Sequence, residues 1–299
     1  MSDLQIEKGS GAKPRVTFYS DGVATDLDGV CTATVLKPDG TQLAGSPFTA
    51  SHVAPSGSGI YEFTLGQQTE VIYYDVTWAG AIGGVATSVT TRVEVVGTFL
   101  FTLDALRKVK VAGGTPFQST TDFPNQVLLD RRAEVTDDFE AKTGWSFIPR
   151  FTREEHSGDG TNTLLVREYL PGRLLSVTVD GATQTLSAFD LTDDGKLTWQ
   201  GATFPATRPG NVAVEYVRGF DRPPSRISSD ALIVAGSWLL PSQAGSTAST
   251  WTIPDGTSYT FDPAGRSLSG GGIAFYGIPK VDADLNNPAY TTSGGGGFS

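Results

Sequence analysis

Few residues in this chain have the type and spacing that chemistry requires. Its two histidines, His52 and His156, lie far apart in polar stretches, and neither belongs to an HExxH or other ligand spacing. No GxSxG elbow and no GxxxxGK[ST] phosphate loop occurs. Gly113-Gly114-Thr115-Pro116-Phe117 is glycine-rich but lacks the Lys of a phosphate loop. Asp282-Ala283-Asp284-Leu285-Asn286 has the alternating oxygens of a calcium loop without its turn Gly or its distal Glu. Asp26-Leu27-Asp28-Gly29 reads as a turn. The adjacent carboxylates Asp137-Asp138 and Glu154-Glu155 would need a pocket to work as acid and base, and their neighbours are those of a solvated face. The pattern therefore assigns no catalytic residue, no cofactor and no metal, and an enzyme is not expected. Cys31 is alone, so no intrachain disulfide can form; within GVCTATVL it reads as a small buried hydrophobe.

The elements that would position any site divide the chain. Residues 1–14 are polar and read as a flexible arm. From 15 to 97 the hydrophobic pattern has period two, with strands expected at 15–19, 31–36, 60–65, 72–78 and 87–96 and turn signals at Asp21-Gly22, Asp28-Gly29, Pro38-Asp39-Gly40 and 56–59. Short strands at this spacing predict an antiparallel β-sandwich. The texture then changes. Residues 101–114 predict a short helix capped by Thr102, with Asp104 in its first turn, Lys108 and Lys110 in its last, and Gly113-Gly114 ending it. A long helix follows from Pro124 to Thr143, with Val127, Leu128, Val135 and Phe139 at helical spacing, Asp122 or Asn125 as cap, and Gly144 as its left-handed stop. Alternation resumes over 147–218, with strands at 163–169, 173–179, 183–186, 196–199 and 211–217, a hairpin at Asp180-Gly181, a second at Asp193-Asp194-Gly195 and a polar loop at 154–161. A last helix opens at Pro223-Pro224 and closes at Pro241, with Ile227, Ala231, Val234, Ala235 and Trp238 on one face and Gly236 allowing a close neighbour. Residues 246–299 form an extended C-terminal segment that keeps Phe275, Tyr276 and Ile278 and reads as ordering on a partner.

At 299 residues the chain is long enough for two cores, and its net charge of −10 makes tight non-specific nucleic-acid binding a poor expectation. The first residues have no apolar run, so no signal peptide is expected, and nothing approaches the roughly 20 apolar residues of a membrane span. On the long helix Arg131 and Arg132 sit mid-way, while Asp137, Asp138 and Glu140 crowd the C-terminal end, where they oppose the helix dipole. One reading is a tolerated surface. The other is that Arg131 and Arg132 meet acids such as Asp137 and Asp138 across a boundary between copies, as a head-to-tail ring would require.

Residues 101–290 resemble the head-to-tail connector, or adaptor, proteins of long-tailed bacteriophages. The resemblance rests on a Thr-Gly-x-x-Phe-x-Pro-Arg turn (Thr143, Gly144, Phe147, Pro149, Arg150), a Gly-hydrophobe-x-x-Pro-Pro turn (Gly219, Phe220, Pro223, Pro224) and a Gly-Ile-Pro-x-Val-Asp segment (Gly277, Ile278, Pro279, Val281, Asp282). Residues 15–97 lie outside it; GIYEFTL and YYDVTW resemble late strands of an immunoglobulin-like module, a common addition to phage structural proteins. The expected fold is thus α+β in two domains: an all-β immunoglobulin-like sandwich (15–97), then a helical adaptor domain (98–245) carrying a β-rich insertion at about 147–218 and an extended C-terminal arm. The resemblance implies a dodecameric ring under the portal protein, made in the host cytoplasm and found in the neck of the virion. The next tail-completion (stopper) ring is a further partner, the major capsid protein could meet the N-terminal domain, and DNA passes through without specific binding. Ile273, Phe275, Tyr276, Ile278, Pro279, Val281 and Asp282 become the portal-binding segment. A rival expectation is a tail-tip receptor- or carbohydrate-binding protein that stacks sugars on Tyr73, Tyr74 and Trp78; those residues also fit as alternating core and surface positions of one strand.

Overall fold

The computed structural model describes residues 4–111, 114–167, 171–240, 250–256, 258–260 and 278–287. They form a strand-rich mixed α/β fold with one large curled sheet. In chain order come β1 (Leu4–Glu7), β2 (Arg15–Thr17), β3 (Tyr19–Ser20), β4 (Val23–Ala24), β5 (Cys31–Leu36), β6 (Phe48–His52) and β7 (Ile60–Glu62). A long hairpin, β8 (Ile72–Ile82) and β9 (Val85–Val96), leads to α1 (Leu103–Arg107), β10 (Lys110–Val111) and α2 (Asn125–Thr143). Then follow β11 (Arg150–His156), β12 (Thr163–Leu165), β13 (Pro171–Val179), β14 (Ala182–Thr183), β15 (Phe189–Leu191), β16 (Lys196–Trp199) and β17 (Val212–Arg218). Last are α3 (Ser225–Leu239), β18 (Thr250–Thr252), β19 (Ser258–Thr260) and α4 (Pro279–Leu285). The chain forms two compact units: Met1–Thr98 with Pro149–Arg218, and Phe99–Ile148 with Gly219–Ser299.

The first unit contains a seven-stranded sheet in the order β1-β9-β8-β5-β6-β7-β2. It curls because β6 serves two neighbours, pairing with β5 through residues 48–50 and with β7 through Ser51 and His52. Alternate residues of β5 and β8 face one core built on Phe18, Tyr61, Phe63, Val76, Trp78 and Val95. The strand at 31–36 lies where period-two alternation predicts it. The 72–78 strand runs on to Ile82 and turns at Gly83-Gly84, whose φ values of +57° and +76° suit a two-residue hairpin. Contrary to expectation, residues 4–7 are not a free arm: they pair in parallel with 93–96 and bury Ile6.

Residues 149–218 of this unit form two further sheets, β11-β17-β13-β14 and β12-β16-β15, around a second core that includes Val177, Leu197, Phe204, Val214 and Tyr216. The Asp180-Gly181 turn forms as expected, with both residues at positive φ. The polar loop expected from Glu154 begins later, because β11 continues to His156 and Glu154 is buried. β11 packs against β8 and β9. Buried Arg150 bonds to Glu94, Tyr73 meets Phe151 edge-on at 5.6 Å, and the Gly97 N–H donates to Pro149 O at 2.8 Å.

In the second unit Thr102 caps α1 by accepting the Ala105 N–H. The helix is shorter than expected: it stops at Arg107, and Lys110 lies in β10, where Val111 and Gly114 exchange backbone bonds. Neither Asp122 nor Asn125 caps α2; its N-cap is Pro124, and Asn125 Oδ1 accepts from Arg107, which also donates to the carbonyls of Phe117 and Phe123. Leu128, Val135 and Phe139 are fully buried, whereas Val127 faces solvent. α3 is enclosed on nearly all sides, burying Leu232 and Ile233 as well as the predicted face, while Trp238 is half-buried. Gly236 has the use expected of it: an added Cβ would lie 2.3 Å from the ring of fully buried Trp251.

Candidate functional site

Both histidines sit at strand ends beside carboxylates. His52 Nε2 lies 2.8 Å from Asp26 Oδ1 and 3.2 Å from Ser58 Oγ. Hydroxyl and carboxylate share one ring nitrogen, so the imidazole cannot relay a proton between them; a catalytic triad uses opposite nitrogens. Asp26 instead accepts the N–H groups of Gly57 and Gly59, which, with His52, hold its carboxyl down at about 2. His156 Nε2 lies 2.8 Å from Glu154 Oε2. Burial pushes the Glu154 carboxyl up, but hydrogen bonds from His156, Tyr216 and the Arg167 N–H, with the His156 charge, outweigh it and hold the group at about 2. Both carboxylates tie loops to strands. Among the described residues no group of three or more His, Cys, Asp or Glu side chains is placed to hold a metal.

The densest constellation is the turn after α2. Gly144 takes φ +73° and closes the helix by donating to Glu140 O at 2.8 Å. The Glu140 carboxylate folds back to accept the Phe147 N–H at 2.9 Å and the Ser146 hydroxyl at 3.1 Å. Phe147 and Ile148 are fully buried, and the Phe147 ring stacks on Phe220 at 6.4 Å with 9° between planes. Gly219, at φ +91°, presses against the same turn: a Cβ there would lie 2.3 Å from Ile148 O. Pro223 is half-buried, and Pro224 is the N-cap of α3. The two proline-bearing turns singled out in the sequence, whose glycines Gly144 and Gly219 lie 75 residues apart in the chain, thus meet through Phe147, Ile148, Gly219 and Phe220. Pro149 and Arg150 belong to the first unit, where Arg150 meets Glu94.

Comparison with known proteins finds no matching family model and no matching curated protein.

The charged residues of α2 have partners within the chain. Arg131 bonds Glu134 at 2.6 Å, and its guanidinium lies 5.4 Å from the Trp238 ring. Arg132 is buried, with its guanidinium 3.6 Å over the Phe99 ring. Asp138 bonds Lys142 at 2.7 Å, and Asp137 is half-buried. Glu140, read from sequence only as an acid at the wrong end of a helix, is instead the clasp of the following turn. Its signal was the donor-rich run Gly144-Trp145-Ser146-Phe147 a few residues downstream.

Ile273, Phe275 and Tyr276 lie outside the described residues. Ile278 precedes α4, which starts at Pro279. Ile278, Val281, Asp282 and Leu285 are buried, α4 packs on α3, and Arg226 bonds Asp284 at 2.9 Å.

Proposed function

We propose that this chain is a structural protein of a phage neck, a head-tail connector subunit that assembles as a ring beneath the portal and lines part of the DNA channel. In this reading residues 15–97 are an immunoglobulin-like module, and residues 98–245, with the β-rich stretch at about 147–218, are the adaptor domain. The observation that carries the reading is the junction of Phe147, Ile148, Gly219 and Phe220. Two sequence-distant turns on which the resemblance rests are halves of one contact, so each has a physical reason to accompany the other. Charge supports it as well. The net charge is −10, which disfavours gripping the phosphates of DNA as it passes. The sugar-stacking alternative is disfavoured by burial: Trp78 and Tyr74 lie in the core, and Tyr73 is covered by Phe151 on one side and by Arg92, 4.0 Å over its face.

The portal contact of this reading is narrowed by packing. Ile278 and Val281 are engaged within the second unit, so Ile273, Phe275 and Tyr276 are the residues to test by substitution rather than by deleting the whole segment. Negative-stain images of the full chain mixed with the portal protein of the same phage are expected to show coaxial rings. Phe275→Ala with Tyr276→Ala is expected to abolish portal binding while the far-UV spectrum stays unchanged. A chain that forms no ring with or without portal overturns the proposal.

A further inference from the structure

The outer edge of β9 differs from the other sheet edges among the described residues. β1 pairs with β9 only over residues 93–96. From 85 to 91 the strand pairs with β8 on one side, and no described strand pairs with its other side. This stretch, Val-Ala-Thr-Ser-Val-Thr-Thr, has no charge and no Pro and is rich in β-branched residues. It lacks the Lys, Pro or bulge by which soluble proteins block an open edge. Val85 is 70% exposed, and Ala86, Ser88 and Thr90 are exposed too. Other edges are charged or short: β2 begins with Arg15, β11 carries Arg153 and Glu155, β15 has Asp190, and β14 is two residues long.

The turn decides which backbone groups are free. A two-residue turn at Gly83-Gly84 makes Ile82 and Val85 a mutually bonded pair. Bonding alternates along an antiparallel ladder, so Val85, Thr87, Val89 and Thr91 bond β8. Ala86, Ser88 and Thr90 therefore direct N–H and C=O outward.

We infer that this edge pairs, antiparallel, with the same edge of a second copy of the chain, about a two-fold axis at Ser88. Ser88 then faces Ser88 of the partner subunit, and Ala86 faces Thr90 of the partner subunit, each pair exchanging both backbone bonds. The occupant must offer an uncharged extended edge of matching length, and among this chain's described edges only this one does. Pairing with itself brings no like charges together and sets β-branched residues opposite one another, a favourable cross-strand combination. The contact is isologous and joins copies in twos. It is independent of the ring reading, whose head-to-tail contacts propagate.

Ser88→Cys in the full chain tests the pairing, because the native thiol, Cys31, is buried. With a short bis-maleimide, S88C is expected to give a product of twice the chain mass at least tenfold faster than Ala182→Cys, an exposed site on β14 of the same unit. Ser88→Pro removes an outward N–H while leaving the β8 ladder intact, and Ser88→Lys sets like charges together at the axis. Each is expected to weaken two-fold association at least tenfold in sedimentation equilibrium, with far-UV circular dichroism unchanged. Should S88P fail to fold, S88K and S88C decide the matter. Crosslinking of S88C no faster than A182C, or S88K associating like the unmodified chain, overturns the inference. Rings seen or not seen in micrographs bear on the connector reading alone.

Discussion

Replacing Gly219 by Ala tests whether the junction between the two proline-bearing turns holds the second unit together. Gly219 sits at φ +91°, a conformation that costs an L-residue about 1–2 kcal/mol. Its added Cβ would also lie 2.3 Å from Ile148 O and 3.0 Å from Ser146 O. These are backbone atoms, and Ile148 O already accepts the Ser146 hydroxyl at 2.9 Å, so it cannot swing aside without losing that bond. Overpacking of this kind costs about 1–3 kcal/mol. The two contributions together come to roughly 3 kcal/mol. Gly181→Ala isolates the first: its φ is +82°, yet nothing lies within 4 Å of the added Cβ. The expected result is a loss of about 1 kcal/mol for G181A and about 3 kcal/mol for G219A. Hydrogen exchange resolved by mass spectrometry reads each unit from its own peptides, which matters because a two-unit chain need not unfold in one step. If G219A costs the second unit no more than G181A costs the first, the junction is loose and the argument built on it fails.

Other consequences are open to measurement. Glu94→Ala removes a carboxylate partner of the buried Arg150 guanidinium and is expected to cost about 3 kcal/mol, read by urea unfolding of the first unit; an effect under about 1 kcal/mol refutes the pairing's importance. The folded Glu154 carboxyl, held at about 2, lies below its ordinary 4.5, so it contributes stability in full above about pH 4.5 and loses it as pH falls toward 2. Glu154→Gln should flatten the urea midpoint over that window, and a profile as steep as before counts against the network. Gly236→Val drives a branched side chain into the Trp251 ring, and a red shift of tryptophan emission with a lower melting temperature is expected. Arg107→Ala frees the carbonyls of Phe117 and Phe123, so faster proteolysis at 115–125 is expected, and unchanged cleavage refutes the role.

Legibility in the sequence followed the range of the forces. Strands with clean alternation, such as 31–36 and 196–199, and caps such as Thr102 and Gly144 are local effects and could be read directly. β1 could not: four residues at the edge of a polar stretch become a strand only because β9 offers them a ladder. Glu154 looked like a loop residue because nothing nearby in sequence announces Tyr216 and Arg167 as its donors. Arg131 and Arg132 looked alike, yet helical rotation puts one beside Glu134 at the surface and the other under cover against Phe99. The paired turns were visible as short motifs, but their contact is a tertiary fact that spacing alone does not contain.

Arg150 opposite Arg218 means that the stretch between them begins and ends on neighbouring strands. Such a cassette has ends close enough to be gained or lost by recombination without stretching the flanking backbone. Its Arg150, however, is neutralised by Glu94, which lies outside the cassette. A hybrid gene that imports one piece from a distant lineage would separate Arg150 from this carboxylate, so the two pieces are expected to travel between lineages as linked cargo.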